Sequence, residues 1–228
     1  MFVSIETIGS IRFFYHKDKQ IMFITFEGSE GSGKTTQIAE LAVFLRDLGY
    51  AVITTREPGG TPIGDQVRAI LHDLKNTDML PRTEVLLFQA SRAQLVDQVI
   101  QPALANNQIV LSDRYADSTL AYQGYGYQLD LNLIGSIVEF ATGGLKPDLT
   151  IFLDVDVEEG LRRRAADGEW NRLDDYELAF YRRVREGYIK LVEADPERWS
   201  VINANQSPQE VQAELRKVVL KQLKASAQ

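Results

Sequence analysis

The sequence predicts a single α/β domain built around a phosphate-binding loop, and three observations carry this prediction. The chain has 228 residues, a length that suits one compact domain with a full core. Residues 28–35 (GSEGSGKT) fit the pattern G-x-x-x-x-G-K-[S/T]. This loop stands between an apolar run at 22–26, typical of a buried strand, and a helical repeat of apolar residues that stops near Gly49.

The order strand, glycine-rich loop, helix is the arrangement that binding a nucleoside triphosphate requires. Glycines let backbone N–H groups turn toward the phosphates, and the helix N-terminus adds partial positive charge. Lys34 is expected to reach the β- and γ-phosphates, and the Thr35 hydroxyl to hold Mg²⁺. A glycine-rich turn that merely starts a helix is the simpler alternative. The predicted ATP-binding residues are Gly28, Ser29, Glu30, Gly31, Ser32, Gly33, Lys34, Thr35 and Thr36.

Composition narrows the class of protein further. Hydrophobic residues make up 44% and charged residues 25%, which is ordinary for a globular protein. The formal net charge of -7 argues against a general nucleic-acid-binding surface. The chain has no cysteine, which excludes disulfides and thiolate metal sites and is compatible with the cytosol. No apolar run approaches the roughly 18 residues of a membrane span. We therefore expect a cytoplasmic enzyme that binds neither nucleic acid nor a membrane.

Residues 1–21 are predicted to be an extension in front of a domain that spans 22–228. The extension lacks a basic start followed by a long apolar core, so it does not resemble a signal peptide. Met22 could itself serve as the start codon. The extension is therefore expected to be either an alternative-start artefact or a loosely attached arm, with a short extra strand at 11–15. His16 is given no function.

Later strands end in charged residues that are expected to gather at one edge of the sheet. Predicted strands at 51–55, 109–113 and 150–154 lead into Arg56, Asp113 and Asp154. In parallel α/β sheets ligands bind beyond the carboxyl ends of the strands. Either aspartate could hold Mg²⁺ beside Thr35, and Asp113 is favoured because its basic neighbour, Arg114, suits a second phosphate. The simpler alternative for Arg56 is a solvated side chain on a surface turn.

A helix predicted at 84–100 carries two side chains that suit a flat base. Phe88 and Arg92 are four residues apart and share a helix face, offering a stacking ring and a fork of donors for carbonyl oxygens. Taken alone, a core phenylalanine and a solvated arginine are the simpler interpretation. On the amphipathic helix predicted at 63–74, His72 is expected at the surface.

Four segments, at 22–36, 55–61, 88–92 and 113–124, together resemble bacterial thymidylate kinases. The similarity runs in register from Met22 to the last helix. It implies a P-loop, nucleoside monophosphate kinase fold with five parallel strands and helices on both faces. It also implies a dimeric enzyme that uses Mg²⁺ and transfers the γ-phosphoryl group of ATP to dTMP, giving dTDP.

The same resemblance implies roles for the residues of the acceptor site. Arg56 and Arg114 are expected to bind the acceptor phosphate, while Phe88 stacks on thymine and Arg92 meets its O4. The remaining acceptor residues are Thr119 and Gln123 at the base, Tyr122 at the sugar 2′ position and Glu27 near the 3′-hydroxyl.

Residues 161–174 are predicted to form a mobile basic lid, although exposed arginines are usually a solvated helix face. Phosphoryl transfer needs positive charge that arrives on the transferring group as the site closes. In the family that the sequence resembles, this charge comes either from the phosphate loop or from the lid. Loop residues 29–32 contain no basic side chain, so the resemblance implies that the lid supplies it. Arg163, Arg164 and Arg172 are the catalytic candidates beside Lys34 and Arg114, and they are not ranked. Asp167 stands where related lids often carry arginine, and Asp174 or Asp175 is expected to help position the acceptor.

Two other classes of nucleotide-binding protein share part of this pattern. A deoxynucleoside kinase shares the loop but needs no paired arginines for an acceptor phosphate, so Arg56 and Arg114 argue against it. A GTP-dependent switch protein would need a guanine-reading Asn-Lys-x-Asp segment. The nearest match, at 171–174, lacks the lysine.

Overall fold

A computed structural model of the chain describes residues 21–166, 171–174 and 176–225. Within these ranges lies a five-stranded sheet of order β2-β3-β1-β4-β5 in which every pair is parallel, as predicted. The strands are β1 (Met22–Glu27), β2 (Val52–Arg56), β3 (Ile109–Asp113), β4 (Leu149–Asp154) and β5 (Trp199–Asn203). The extension at 1–20, with its expected strand at 11–15, lies outside the described residues.

Helices connect the strands. They are α1 (Lys34–Asp47), α2 (Pro62–His72), α3 (Pro81–Leu95), α4 (Gln101–Ala105), α5 (Ala116–Thr119), α6 (Leu131–Thr142), α7 (Val157–Ala166), α8 (Leu178–Ala194) and α9 (Pro208–Ala225). The helix predicted at 84–100 thus begins earlier, at Pro81, and passes into a π-helical turn at Val96–Ile100. A second π-helical turn, Leu120–Gly126, follows α5, and the 3₁₀ turn Arg172–Asp174 precedes α8. None of the described helices is long and apolar enough to cross a membrane.

The sheet is covered on both faces, which is why its central strands read as continuous apolar runs rather than alternating ones. On one face, Ile24 and Phe26 of β1 pack with Leu41 of α1 and Leu215 of α9. On the other face, Phe23 packs with the π-helical turn and α4, and Phe152 of β4 packs with α8. This two-sided core fixes the carboxyl ends of β1, β2 and β3 side by side, and the site lies beyond them.

Candidate active site

The phosphate loop turns sharply between β1 and α1. Gly28, Gly31 and Gly33 have φ angles of 143°, 67° and 84°, a region that glycine enters without the steric penalty of a Cβ atom. A Cβ atom built on Gly31 would lie 2.0 Å from the carbonyl oxygen of Gly160 in α7. The loop backbone therefore lies directly against the helix that leads into the predicted lid.

The Lys34 ammonium lies inside the curl of this loop. Its Nζ donates to the carbonyl oxygens of Gly28 and Ser29, at 3.0 and 2.9 Å, and to Ser32 Oγ at 3.1 Å. Burial, and next the charge of Arg114, lower the pKa of Lys34 to about 8. A buried cation in a ring of backbone groups is suited to meet phosphate oxygens.

Two oxygen ligands for a divalent cation meet beside the loop. Thr35 Oγ1 donates to Asp113 Oδ2 at 2.7 Å. Asp154, the rival aspartate, is instead bound by Arg185 through two hydrogen bonds of 2.7 and 2.8 Å. The hydroxyl of Thr35 and the carboxylate of Asp113 fit Mg²⁺, which commonly takes one or two protein groups and completes its shell with water and substrate phosphates. No group of three or more histidine, cysteine or acidic side chains that could hold a metal ion occurs among the described residues.

One cavity of about 890 Å³ runs from the phosphate loop past Arg114 to α3 and the base of the lid. It brings together most of the residues that the sequence predicted. Those that line it are Glu30, Gly31, Ser32, Gly33, Lys34, Thr35, Thr36, Arg56, Phe88, Arg92, Asp113, Arg114, Thr119, Tyr122, Gln123 and Arg164. The predicted residues that do not line it are Glu27, Gly28, Ser29, Arg163 and Arg172.

Arginines line the middle of this cavity. Arg114 has a left-handed backbone (φ 70°), and its Nη2 lies 2.8 Å from Glu30 Oε1 and 3.0 Å from the Tyr122 hydroxyl. Arg56 is half-exposed and contacts Asp65 at 3.2 Å. Sequence reasoning missed a third cavity arginine, Arg68, whose Nη1 donates to the carbonyl oxygen of Pro58 at 3.0 Å. Arg68 could have been predicted from its place on α2, the helix that follows the loop of Arg56.

At the far end of the cavity, Arg92 is a buried and fully bonded cation. Its Nε and Nη2 donate to Glu57 Oε2 at 2.8 and 2.5 Å. Its Nη1 donates to Gln89 Oε1 at 2.7 Å and Thr119 Oγ1 at 2.9 Å, and Nη2 also donates to the Tyr115 carbonyl oxygen at 2.9 Å. These contacts use all five N–H groups of the guanidinium. Any contact with a base oxygen must therefore share one of them.

Phe88 and Arg92 thus depart from their simpler interpretation. Phe88 is half-buried and lines the cavity, and Arg92 is 1% exposed instead of solvated. A ring face and a buried guanidinium that line the same cavity suit a flat heterocycle.

Glu27 does not line the cavity, so its position lends no support to the predicted contact with a sugar hydroxyl. Its fully buried carboxylate accepts hydrogen bonds from the backbone N–H of Tyr115 at 2.9 Å, Ser118 Oγ at 2.5 Å and the Tyr188 hydroxyl at 2.8 Å. Burial, and next the charge of Asp117, raise the pKa of Glu27 to about 7. Of the two glutamates in this segment, Glu30 is the one that lines the cavity.

Comparison with known proteins assigns this arrangement to a family. The family model described as "Thymidylate kinase" matches residues 26–215. The chain belongs to the thymidylate kinase family. It is 51% identical over 211 residues to a thymidylate kinase of Roseiflexus castenholzii, covering 87% of this chain and 92% of that protein. It is also 51% identical over 207 residues to one from Geotalea uraniireducens, covering 88% and 97%.

Among solved structures, the chain resembles thymidylate kinase from Ehrlichia chaffeensis with a TM-score of 0.70 and 37% identity. The match covers 87% of this chain and 98% of that one. The fold of this family member is therefore the P-loop nucleoside monophosphate kinase fold that its sequence predicted.

The lid arginines of this thymidylate kinase family member differ in where they lie. Arg164 lines the cavity and bonds Asp174 through Nε and Nη2 at 2.9 and 2.8 Å. Arg163 bonds Glu159 at 2.7 Å and the Ala204 carbonyl oxygen at 2.9 Å. Arg172 does not itself line the cavity, and its side chain bonds Leu71 of α2 and Glu84 of α3. Asp174 lines the cavity, whereas Asp167 and Asp175 lie outside the described residues.

His72 also lines the cavity, which the sequence did not predict. It is half-buried, and burial, followed by the charge of Arg68, lowers its pKa to about 4. The imidazole is therefore neutral at physiological pH. His72 is the last residue of the amphipathic helix α2, and this position gave no indication that its side chain faces the cavity.

Proposed function

We propose that this protein transfers the γ-phosphoryl group of ATP to the phosphate of dTMP, giving dTDP and ADP. The observation that carries the proposal is the single cavity that joins the Lys34 loop to the Phe88–Arg92 end, with arginines between them. A donor at one end and a nucleoside monophosphate at the other would bring their phosphates together beside Arg114.

On the donor side, the phosphate loop and Lys34 bind the triphosphate. Lys34 is already desolvated and directed into the loop, so its charge acts in a site of low dielectric. Thr35 and Asp113 would hold Mg²⁺, which neutralises charge on the phosphate oxygens when it is bound. Asp113 keeps the Thr35 hydroxyl oriented toward that position.

On the acceptor side, Arg56, Arg68 and Arg114 hold the monophosphate. Phe88 stacks on the base, while Arg92, Thr119 and Gln123 supply hydrogen bonds at its edge. Tyr122 and Glu30 form one wall of the sugar site. They lie together, since the Tyr122 hydroxyl is 2.9 and 2.8 Å from the two Glu30 carboxylate oxygens. Positioning both phosphates in line accounts for most of the catalysis that such a reaction requires.

We also propose that the protein is a homodimer, and exposed apolar side chains support this. Helix α3 packs between α2 and α6. These helices leave apolar side chains in solvent: Ile63 and Ile70 on α2, Leu86 on α3, and Leu133 and Phe140 on α6. Phe140 is 89% exposed. A patch of this kind on adjacent helices is typical of a protein–protein interface.

A coupled assay of ADP formation with a panel of monophosphates tests the proposed reaction. dTMP should be the best acceptor, and its ribose analogue should be strongly disfavoured because Tyr122 occupies the space beside the sugar. Discrimination against dUMP should be weaker, since one methyl group is worth about 1–3 kcal/mol. The Lys34→Ala variant, purified in parallel, controls for contaminating kinases. Equal turnover of AMP, CMP and dTMP would contradict the proposal.

A further inference from the structure

We propose that Glu84 determines which bases the acceptor site accepts, because it fixes the amide of Gln123 with its carbonyl oxygen toward the base. This inference rests on the proposed function and deepens it. Gln123 is the residue that reads the base, and Glu84 is the positioning residue behind it.

Glu84 is a buried carboxylate at the centre of several donors. It lies on α3 one turn before Phe88, is 1% exposed and lines the cavity. Its Oε1 accepts a hydrogen bond from Gln123 Nε2 at 3.0 Å. Its Oε2 accepts from Arg172 Nη2 at 2.6 Å and from the hydroxyls of Tyr176 and Tyr127 at 3.1 and 3.2 Å.

The carboxylate of Glu84 forms an ion pair with Arg172, whose Nη2 lies 2.6 Å from Oε2. The Arg172 side chain is 10% exposed and that of Glu84 is 1% exposed, so neither charge is well solvated without the other. Arg172 is fixed further because its Nε donates to the carbonyl oxygen of Leu71 at 2.8 Å. An ionised carboxylate only accepts hydrogen bonds.

The direction of the Gln123 amide follows from that charge. An amide beside an acceptor-only group must turn its NH₂ toward it, because the opposite orientation would bring two oxygens together. Gln123 is buried and lines the cavity, so the atom left for a ligand is its carbonyl oxygen. Gln123 therefore presents an acceptor.

A hydrogen-bond acceptor at Gln123 favours a pyrimidine that carries a hydrogen on N3. Thymine and uracil carry a hydrogen on N3, whereas N3 of cytosine is a lone pair at the same place. Arg92 adds a donor, which suits a 4-oxo group and opposes a 4-amino group. Gln123 and Arg92 together select 4-oxo pyrimidines, because a base with the opposite pattern of donors and acceptors would leave buried polar groups without a hydrogen bond.

Arg172 therefore has a different role from that of the other lid arginines. Its guanidinium is committed to Glu84 and Leu71 on α3 and α2, so it supports base recognition rather than the transferring phosphoryl group.

The test compares kcat/KM for dTMP with kcat/KM for dCMP in single and reciprocal variants. In Glu84→Gln, the new amide can donate as well as accept, so Gln123 is free to rotate. We expect the dTMP:dCMP ratio to fall by about tenfold or more, the factor expected when one hydrogen bond is lost. Tyr127→Phe is the matched control, since it removes one bond to Glu84 without touching Gln123. Its ratio should match that of the wild type.

The reciprocal variant Glu84→Gln/Gln123→Glu should restore the ratio. The amide at position 84 then donates its NH₂ to the carboxylate at position 123, whose other oxygen again presents an acceptor to the base. If Glu84→Gln does not fold, Glu84→Asp takes its place, because the shorter side chain withdraws from Gln123 and should lower the ratio in the same way.

Three outcomes would overturn the inference. They are a folded Glu84 variant with an unchanged ratio, a folded reciprocal variant that fails to recover, or a Tyr127→Phe ratio that falls as far as that of Glu84→Gln. None of these would affect the proposed reaction itself. Absence of dTMP phosphorylation by the wild type would instead contradict the proposed function.

Discussion

Buried charges with specific partners define this site at the scale of single residues. Arg92 is held by Glu57, Arg172 by Glu84 and Arg164 by Asp174. Removing one member of such a pair leaves the other charge buried and unpaired, which costs about 3–5 kcal/mol. These side chains are consequently held by their partners before any ligand binds, and among the other cavity residues burial lowers the pKa of Lys34 to about 8.

The depressed pKa of Lys34 leads to a prediction for ATP affinity. Its pKa is about 8 in the ligand-free protein, and phosphates bind the protonated form. Bound phosphates raise that pKa, so affinity is constant below pH 8 and falls as pH rises above it. We expect the dissociation constant for ATP to increase about tenfold per pH unit above pH 8, as proton linkage requires. Isothermal titration calorimetry between pH 7 and 9.5 measures this slope.

Lys34→Met provides the control for this measurement. It should bind ATP more weakly at every pH but with a dissociation constant that no longer depends on pH in this interval. Equal slopes in the two proteins would show that another group is responsible.

Individual residues also show where sequence reasoning stops. The pairing of Thr35 with Asp113 could be predicted, because a local motif and the end of a neighbouring strand specify it. The burial of Glu27 could not, because one of its donors, Tyr188, comes from α8, far away in the chain. The choice between Glu27 and Glu30 depends on which side chain faces the cavity, and two residues in one short segment carry no signal for that.

At the scale of elements, the link between the phosphate loop and α7 is the important one. A Cβ atom built on Gly160 would lie 2.5 Å from the carbonyl oxygen of Glu30, so the two backbones are in direct contact. Helix α7 ends at Ala166, so the first part of the predicted lid at 161–174 lies on this helix. Arginines on this helix are therefore placed relative to the donor phosphates by backbone contact, and they need little rearrangement to act there.

Arg164 is the lid arginine that we expect to stabilise the transferring phosphoryl group, because it lines the cavity. Arg164→Ala should lower kcat by about a hundredfold or more, within the range known for such arginines. Because the arginine acts mainly in the transition state, ATP affinity in the absence of acceptor should change little. Steady-state kinetics and an ATP titration on the same preparation measure both effects.

Arg162→Ala is the matched control on the same helix. Arg162 is exposed and paired with Glu159 in the first part of α7, so its loss should leave kcat within about threefold of the wild type. Arg163→Ala and the triple variant of Arg163, Arg164 and Arg172 complete the series. A triple variant that keeps most of its kcat would show that the charge comes from elsewhere, such as Arg56 or a second subunit.

The elements themselves were predicted unevenly, for physical reasons. The strands at 22–26, 109–113 and 150–154 were predicted close to their observed bounds, because strands that are buried on both faces leave continuous apolar runs. Helix α3 was misjudged at its end, since a π-helical turn and an α-helix place apolar residues at nearly the same spacing. The contacts of Glu84 could not be predicted from the sequence, because they join α3 to the π-helical turn after α5 and to Arg172 in the 3₁₀ turn before α8.

At the scale of the whole molecule, the two faces of the sheet differ in what covers them. Helices α1 and α9 close one face around a large apolar cluster. On the other side, α2, α3 and α6 leave apolar side chains in solvent, and Leu133 and Phe140 lie seven residues apart on one stripe of α6. A stable interface buries about 1,600 Å² in total, which three adjacent helices can supply.

Phe140→Lys tests the proposed dimer. A charge placed in the middle of an apolar contact is costly to bury, so this variant should be monomeric at micromolar concentration where the wild type is dimeric. Light scattering coupled to size-exclusion chromatography measures the mass.

Val43→Lys is the control, because it also replaces an exposed apolar side chain with a charged one, but on α1. This variant should remain dimeric. Because α3 carries Phe88 and Glu84, the monomeric variant should also show a higher KM for dTMP than the Val43 control. A wild-type protein that runs as a monomer, or a Phe140→Lys variant with the wild-type mass, would show that this face has another use.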